Sequence, residues 1–543
     1  MQPVIAWLIA LGPLLLLAVG LVPRGWANRN PAPMTRLAGA AAWAAFIAAA
    51  LAAAGYFATG LVEHTFAVAG PAAGLHLTFD TYFDALSAVM LLLVSFVGAV
   101  VTRYARNYLD GDPQHGRFMK WLCLTLAAVL TLIASGNLVL FAAAWITTSL
   151  CLHQLLTFYA ERPAALLAAR KKFIVSRLGE ACLIGAVVLV YLSFGSVEFG
   201  TVFAAADATG RSGADTTQAA YLPWIAALLV IAALLKSAQF PFHGWLPEVM
   251  ETPTPVSALL HAGIINAGGF LIVRMSHVVS LSTPSLDVLA VVGALTALFG
   301  SVVMLTQNSI KVSLAYSTVA QMGFMLLQCG LGAFSAAVLH IVGHSLYKAH
   351  AFLSSGSVVD RVKASWTPVA HDRPHPFRLL FALIAVALLT FAVGLAFGAS
   401  PDAEPGVFAL GAILLMALTY LFWNAIGERP AAAVVLRGAA LAVVVCVGYF
   451  ALQLAFEWLL QSALPAAQAT RGNVEFLLLG GVIALFMVVF VLQTQLPYRA
   501  DSPRWHAAYV HLFNGLYVNT VANRLIQRLW PVEPRVATQG VQE

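Results

Sequence analysis

The chain has 543 residues, 61% of them hydrophobic and only 10% charged, with a mean hydropathy of +0.86 and a formal net charge of +6. So little polar surface excludes a soluble globular protein of this length and leaves an integral membrane protein. The basic excess is read by position rather than size, because short cytoplasmic loops collect Lys and Arg.

Apolar stretches long enough to cross about 30 Å of hydrocarbon begin near residues 3, 35, 83, 118, 136, 172, 222, 255, 286, 311, 334, 377, 406, 433 and 474. They predict an all-α integral membrane fold of about 15 transmembrane helices. The first, VIAWLIALGPLLLLAVGLV, has no basic flank ahead of it and no small-residue cleavage site, so it reads as a retained helix rather than a signal peptide. Four zones follow from composition: N-terminal helices with a loop rich in aromatic and small residues over 1–115, a core over 116–358, apolar helices over 359–495 and a tail over 496–543. The core holds nearly every intramembrane charge. Within the tail, residues 502–531 are amphipathic, with Arg524 and Arg528 one helical turn apart, as in a segment that lies on a membrane face or docks on a partner.

The loops carrying Arg24, Arg29 and Arg36, then Arg103, Arg106, Arg117 and Lys120, then Arg162, Arg170, Lys171 and Lys172, and finally Arg361, Lys363, Arg373 and Arg378 are basic. The loops between are neutral or acidic. With fifteen spans this places the N-terminus outside and the C-terminal tail in the cytoplasm, and the run RKK at 170–172 reads as part of the topology signal. The acidic stretch with Glu248 and Glu251 is the exception. Cys123, Cys151, Cys182, Cys329 and Cys446 all lie inside apolar runs without CxxC spacing, so neither a cluster nor a structural zinc is expected. No Gly-rich phosphate loop follows a strand-like segment, and no nucleotide, cofactor or nucleic-acid partner is expected on this chain.

An ionisable side chain at the bilayer centre costs roughly 2.5 to 3.5 kcal/mol even on insertion scales, so the core's charges are its informative residues. Lys236 ends the run WIAALLVIAALLK, and Pro241 and Pro247 follow it in a segment that breaks any helix. A buried lysine beside a membrane break is a candidate proton carrier; the competing reading is a lysine snorkelling to the interface. His261 lies six residues after Pro255, and a lone helical histidine is as readily a packing residue. His340, His344 and Lys348 recur at i, i+4, i+8 on one helix face, the spacing of a relay. A metal is not expected there, because no HExxH pattern or nearby carboxylate completes a zinc site. Lys311 opens the preceding helix as either a loop-end anchor or a functional group. Arg177 and Glu180, at i, i+3, neutralise each other or supply a counter-charge to the lysines.

The segments LLKSAQFPFHGWLPEVMETPTPVSALLHAGIINAGGFLIVR, QNSIKVSLAYSTVAQMGFM and HIVGHSLYKAHAFLSSGSV, in that order, resemble the proton-translocating membrane subunits of respiratory complex I and of multisubunit cation/proton antiporters. The likeness runs from about residue 83 to about 358. It implies two inverted five-helix repeats with broken helices. By position it implies that Lys236 is the broken-helix lysine, His261 the histidine of the next helix, Lys311 the loop-proximal lysine and His340, His344 and Lys348 the central relay.

Three departures from that family stand out. Ile146, within NLVLFAAAWITTSLCLHQLL, occupies the position of the usual glutamate, and His153 or Glu180 is the expected substitute. No lysine occurs beyond Lys363, and the chain has no long lateral helix. These features, with the ending HLFNGLYVNTVANRLIQRLWP, are similar to the membrane B subunits of DAB-type inorganic carbon accumulation complexes of bacteria. That resemblance implies a proton- or sodium-conducting subunit in the inner membrane, carrying no catalytic chemistry of its own. It implies a large, carbonic-anhydrase-like partner that holds zinc and hydrates carbon dioxide to bicarbonate. The alternatives are an antiporter or complex I-like subunit, and a transport-inactive anchor for a cytoplasmic partner.

Overall fold

The computed structural model describes residues 2–69, 77–212, 217–356, 376–398, 405–426, 432–465, 473–499 and 502–531. In chain order its first helices are α1 (Gln2–Gly20), α2 (Arg24–Arg29), α3 (Pro31–Thr59), α4 (Ala85–Tyr108), α5 (His115–Ala134), α6 (Leu138–Leu156), α7 (Pro163–Phe194) and α8 (Phe199–Ser212). Then come α9 (Thr217–Lys236), α10 (Trp245–Glu248), α11 (Thr254–Ala262), α12 (Ala267–Arg274), α13 (Ser276–Val279), α14 (Thr283–Thr306), α15 (Ile310–Gly330) and α16 (Phe334–Leu353). Four more apolar helices, Pro376–Ala396, Pro405–Ala425, Ala432–Leu460 and Asn473–Arg499, precede two tail helices, Pro503–Phe513 and Val518–Leu529. Most of the basic loop expected at 361–378 lies outside the described residues.

Helices dominate because hydrocarbon leaves backbone groups no partner but each other. Thirteen of the described helices are long and apolar enough to cross a membrane, with α11 and α12 together forming one of them. The sequence reading of about fifteen differs at α9, whose apolar stretch is the shorter Ala220–Lys236. It differs also at α16, where His340, His344, Lys348 and His350 dilute the apolar residues. Both nevertheless pack against core helices, α9 along α7 and α16 along α11.

One stretch read as a loop is a β-hairpin instead. β1 (Val62–Ala69) and β2 (Leu77–Phe83) pair antiparallel, Val62 opposite Phe83 and Thr65 opposite Asp80. Their Val, Thr, Phe and Tyr residues suit a half-buried pleated surface. The hairpin caps the end of the bundle where α5 ends and α6 begins, through a bridge from Thr81 to Ser135 and the hydrogen bond from Asn137 Nδ2 to Asp80, and a second bridge joins Asn137 to Glu198 ahead of α8. This end is the hairpin side, and the opposite end, where the Pro503–Leu529 segment docks, is the tail side.

Small residues let the core helices approach. Where α14 meets α15, a Cβ added at Gly293, Gly300, Gly323 or Gly330 would fall 2.3 to 2.6 Å from backbone nitrogen on the facing helix. Such close contact replaces the hydrophobic drive that lipid cannot supply.

The helix break comes earlier than its prolines. α9 closes at Lys236 because Ala238 takes a left-handed turn with φ of 50°, and Gln239 N–H donates back to the Leu234 carbonyl, a helix stop usually given to glycine. The chain then makes a short 3-10 turn at Phe242–Gly244, α10 and a second 3-10 turn at Val249–Glu251 before α11 starts. α11 and α12 are themselves separated by a 3-10 turn at Ile264–Asn266.

On the hairpin side a buried ion pair ties this core to the N-terminal helices. Asp84 caps α4 by accepting from Ser87 N–H at 2.9 Å. Arg274, at the end of α12, grips the same carboxylate with two donors at 2.7 and 3.2 Å. The rings of Tyr82, Phe199 and Phe270 surround the guanidinium at 5.5 to 5.6 Å. Removing one member leaves the other charge buried and alone. Arg274→Leu is therefore expected to destabilise the fold by about 3 to 5 kcal/mol, read as a fall in the thermal midpoint of the detergent-solubilised protein. An unchanged midpoint would show that the pair contributes nothing.

Candidate functional site

Two clusters of buried polar groups lie inside the core, one around Lys236 and one around Lys348. In the first, the Lys236 ammonium sits 4.3 Å from the centre of the Trp145 ring and has no hydrogen-bond partner among the described residues. The face of an indole attracts a cation, which gives this ammonium one of its few local interactions. Beside it, Lys172 donates to the Ser149 carbonyl and to Ser149 Oγ, each at 2.7 Å. Arg177 pairs with the buried Glu180 at 2.7 Å and reaches Ser149 Oγ at 3.5 Å. The Glu180 carboxylate acts on Lys236 as an opposite charge, with Arg177 opposing it.

This arrangement distinguishes the two expected substitutes for the missing glutamate. Ile146 is half-buried on α6, and its neighbour Trp145 is the α6 residue whose ring meets Lys236. His153 lies further along α6, its ring 5.4 Å from Phe173 and its Nδ1 without a partner. It faces Lys172 and Arg177, both cations. Glu180 is the acid that faces Lys236.

The second cluster joins α11, α15 and α16. His261, fully buried, contacts Thr318 Oγ1 through Nδ1 at 2.9 Å and stacks on Phe352 at 4.5 Å. His344 Nε2 lies 3.2 Å from the His261 carbonyl. Lys348, fully buried one turn on, donates to the Leu314 carbonyl at 2.9 Å and to Ser317 Oγ. His340 is one turn the other way, its ring 6.1 Å from that of His344. Lys311 stands apart at the tail side, donating to Thr254 Oγ1 at 3.0 Å at the start of α11. His261, His344 and Lys348 are thus brought together with His340 at one end, while Lys311 is not part of that contact set.

Residues near the 3-10 turn at Ile264–Asn266 tie this part of the core together. Ser237, directly after Lys236, donates its hydroxyl to the Ile265 carbonyl at 3.0 Å. Asn266 donates to Ser345 Oγ at 2.8 Å, between His344 and Lys348. Along this band Lys236 Nζ, His261 Nε2, His340 Nε2 and His344 Nδ1 are all buried without a hydrogen-bond partner among the described residues.

Sequence reasoning missed Lys172, Ser149, Trp145 and Asn266, and it passed over His243. The signal for Lys172 was present: it precedes Glu180 by eight residues on one helix, which places both on one face. Reading it as a topology marker obscured that spacing. His243, in the half-helix after the break, is fully buried with both ring nitrogens unpartnered among the rings of Phe240, Phe299 and Tyr316.

The hairpin side opens into a cavity of about 430 Å³ lined by Glu63, His64, Asp80, Tyr82, Glu198 and Thr201 among others. Asp80 accepts from Asn137 Nδ2 at 2.5 Å and from Thr78 Oγ1 at 3.2 Å. Burial nevertheless holds its carboxyl above the ordinary 3.8, and Glu198 adds to that effect.

The family described as NADH:quinone oxidoreductase/Mrp antiporter, TM, matches residues 135–371, and the complex I chain 5 N-terminus matches residues 71–119. The chain is 41% identical over 464 residues to the probable inorganic carbon transporter subunit DabB2 of Halothiobacillus neapolitanus, covering 84% of this chain and 81% of that one. It is 37% identical to the probable inorganic carbon transporter subunit DabB of Hydrogenovibrio crunogenus, covering 82% of each. Among solved structures it is similar to a chain of the Mrp complex from Dietzia sp., with a TM-score of 0.63 and 25% identity over 97% of this chain. The match spans 60% of that Mrp chain.

A carboxyl whose folded value lies above its unfolded one withdraws stability as the pH rises through that folded value, and has no effect below about pH 3, where both states hold the proton. Asp80→Asn removes the penalty. It is expected to match the wild type in acid and to be more stable at pH 7, and thermal midpoints across that range check it; a variant less stable at neutral pH would reverse the sign.

Proposed function

The chain belongs to the family of DabB inorganic carbon transporter subunits, within the complex I and Mrp antiporter membrane family, and from that membership we infer that it conducts protons to drive inorganic carbon accumulation. One observation supports this above others: four proton-exchanging atoms, on Lys236, His261, His340 and His344, lie buried and unpaired in one band of the core. Packing alone does not repay the desolvation of so many groups in hydrocarbon.

In this reading Lys236 is the central carrier and Glu180 the acid that faces it. His261 links onward, and His344, Lys348 and His340 pass the proton across the middle of the membrane. Lys311 tunes access from the tail side. In this reading that side faces the bacterial cytoplasm and the N-terminus lies outside, an orientation supported by the basic loops. A large cytoplasmic partner, resembling a carbonic anhydrase and carrying the zinc, hydrates carbon dioxide to bicarbonate, and proton entry through this chain makes that step one-way.

Growth at ambient carbon dioxide tests the reading in a carbonic-anhydrase-deficient bacterium expressing the chain with its partner. Wild type is expected to restore growth, Lys236→Ala to lose it while still assembling, and a protonophore to abolish bicarbonate uptake. Rescue by Lys236→Ala would reduce the chain to an anchor. Failure of the wild type, with sodium exchange in vesicles, would favour the antiporter reading.

Glu180→Gln is expected to lower transport at least tenfold and His153→Gln to leave it within about twofold, the contrast between losing and keeping a charge that faces the carrier. Proton uptake into proteoliposomes decides between them, and equal losses would remove Glu180 from its assigned role.

A further inference from the structure

The Val518–Leu529 helix turns Asn519 and Asn523, together with the buried Ile526, toward the rest of the molecule. Asn519 and Asn523, one turn apart on the Val518–Leu529 helix, both donate to Glu248 Oε1, at 2.5 and 2.7 Å. The other carboxylate oxygen lies 2.5 Å from the ammonium of Lys171. Lys171 in turn donates to Asn519 Oδ1 and to the Gly244 carbonyl. Val521, Leu525 and Leu529, by contrast, are exposed.

This knot sits on the half-helix that follows the break. Gly244 is next to His243, whose two ring nitrogens are buried and unpartnered. Lys171 is 5% exposed and Glu248 21%, so the pair marks the passage from interior to solvent. Further contacts pin the tail on either side. Arg170 donates to the Trp530 and Pro531 carbonyls at 2.8 Å, and Tyr509 hydroxyl reaches the Thr306 carbonyl at 3.4 Å. Between the tail helices Leu516 and Tyr517 take successive left-handed conformations, φ 52° and 61°, which side-chain-bearing residues hold only where surroundings impose them.

Gly244 supplies an independent observation. Its φ and ψ of −61° and −19° are ordinary helical values, so its backbone does not require glycine. A Cβ there would fall 2.2 Å from Asn519 Oδ1. The missing side chain makes room for the tail.

We propose that Glu248 and Lys171 form the tail-side exit of the proton route and that Asn519 and Asn523 latch it shut. This rests on the proton-conducting reading above. While latched, the carboxylate oxygens of Glu248 are engaged by the two amides and the ammonium of Lys171, so Glu248 takes no proton arriving from the break. Release of the two amides frees Glu248 to accept one and hand it to water. The asparagines are positioning residues, acting through the ion pair.

Gly244→Ala tests this without removing a hydrogen-bonding group, because Asn519 must swing away from Lys171 to admit the methyl. Asn519→Ala with Asn523→Ala is the second variant. Each is co-expressed with the partner, purified as the complex and reconstituted into vesicles holding a pH-sensitive dye, with a potassium diffusion potential as the driving force. Both are expected to raise passive proton flux about tenfold, the shift that loss of a charge-assisted hydrogen bond gives a two-state equilibrium. Adding Gly244→Ala to Asn519→Ala should add nothing, since both act through one contact, and Lys236→Met should silence flux in every background. Folded, assembled latch variants that conduct like the wild type, or less, would overturn the latch while Lys236→Met still silences the wild type. Flux indifferent to Lys236→Met would instead overturn the proton route and the exit with it.

Discussion

An ammonium withdrawn from water must find acceptors, a counter-charge or the face of a ring, and much of the core is arranged around that demand. Lys172 takes the first course at Ser149 and Lys348 takes it at Leu314 and Ser317. Lys171 takes the second against Glu248. Lys236 is left with the Trp145 ring and the field of Glu180. Differences in how completely each lysine is satisfied turn a set of similar residues into a sequence of sites, with the least satisfied one beside the break.

That break illustrates how much was legible in the residues alone. Composition exposed the membrane class, and the i, i+4, i+8 spacing of His340, His344 and Lys348 put them on one helix, where the structure has them. Pro241 and Pro247 announced an interruption but not its position. The stop comes at Ala238, because a left-handed turn is a conformational choice that alanine does not advertise. The hairpin was hidden for a different reason: the alternation of its strands is diluted by polar residues such as Glu63, His64 and Asp80.

Contacts between distant segments were the least legible part. The carboxylate of Asp84 gave no sign that Arg274 would clasp it, nor Lys171 that it would reach Asn519, because no local period couples residues so far apart. Charge clusters carry two meanings in a membrane chain, topology and chemistry, and the sequence RKK holds both. Arg170 holds the tail, Lys171 binds Glu248 and Lys172 enters the Ser149 cluster. Three neighbouring residues on one helix point to three surroundings because successive side chains are turned about 100° apart.

The contact between Lys171 and Asn519 spans 348 residues of chain, and it therefore has a place in time as well as in space. During synthesis α7 and the broken segment emerge long before the asparagines that cover them. Until the Val518–Leu529 helix is made, the Lys171 and Glu248 side chains lack those amide partners, so a segment translated much later completes the polar network begun near residue 171.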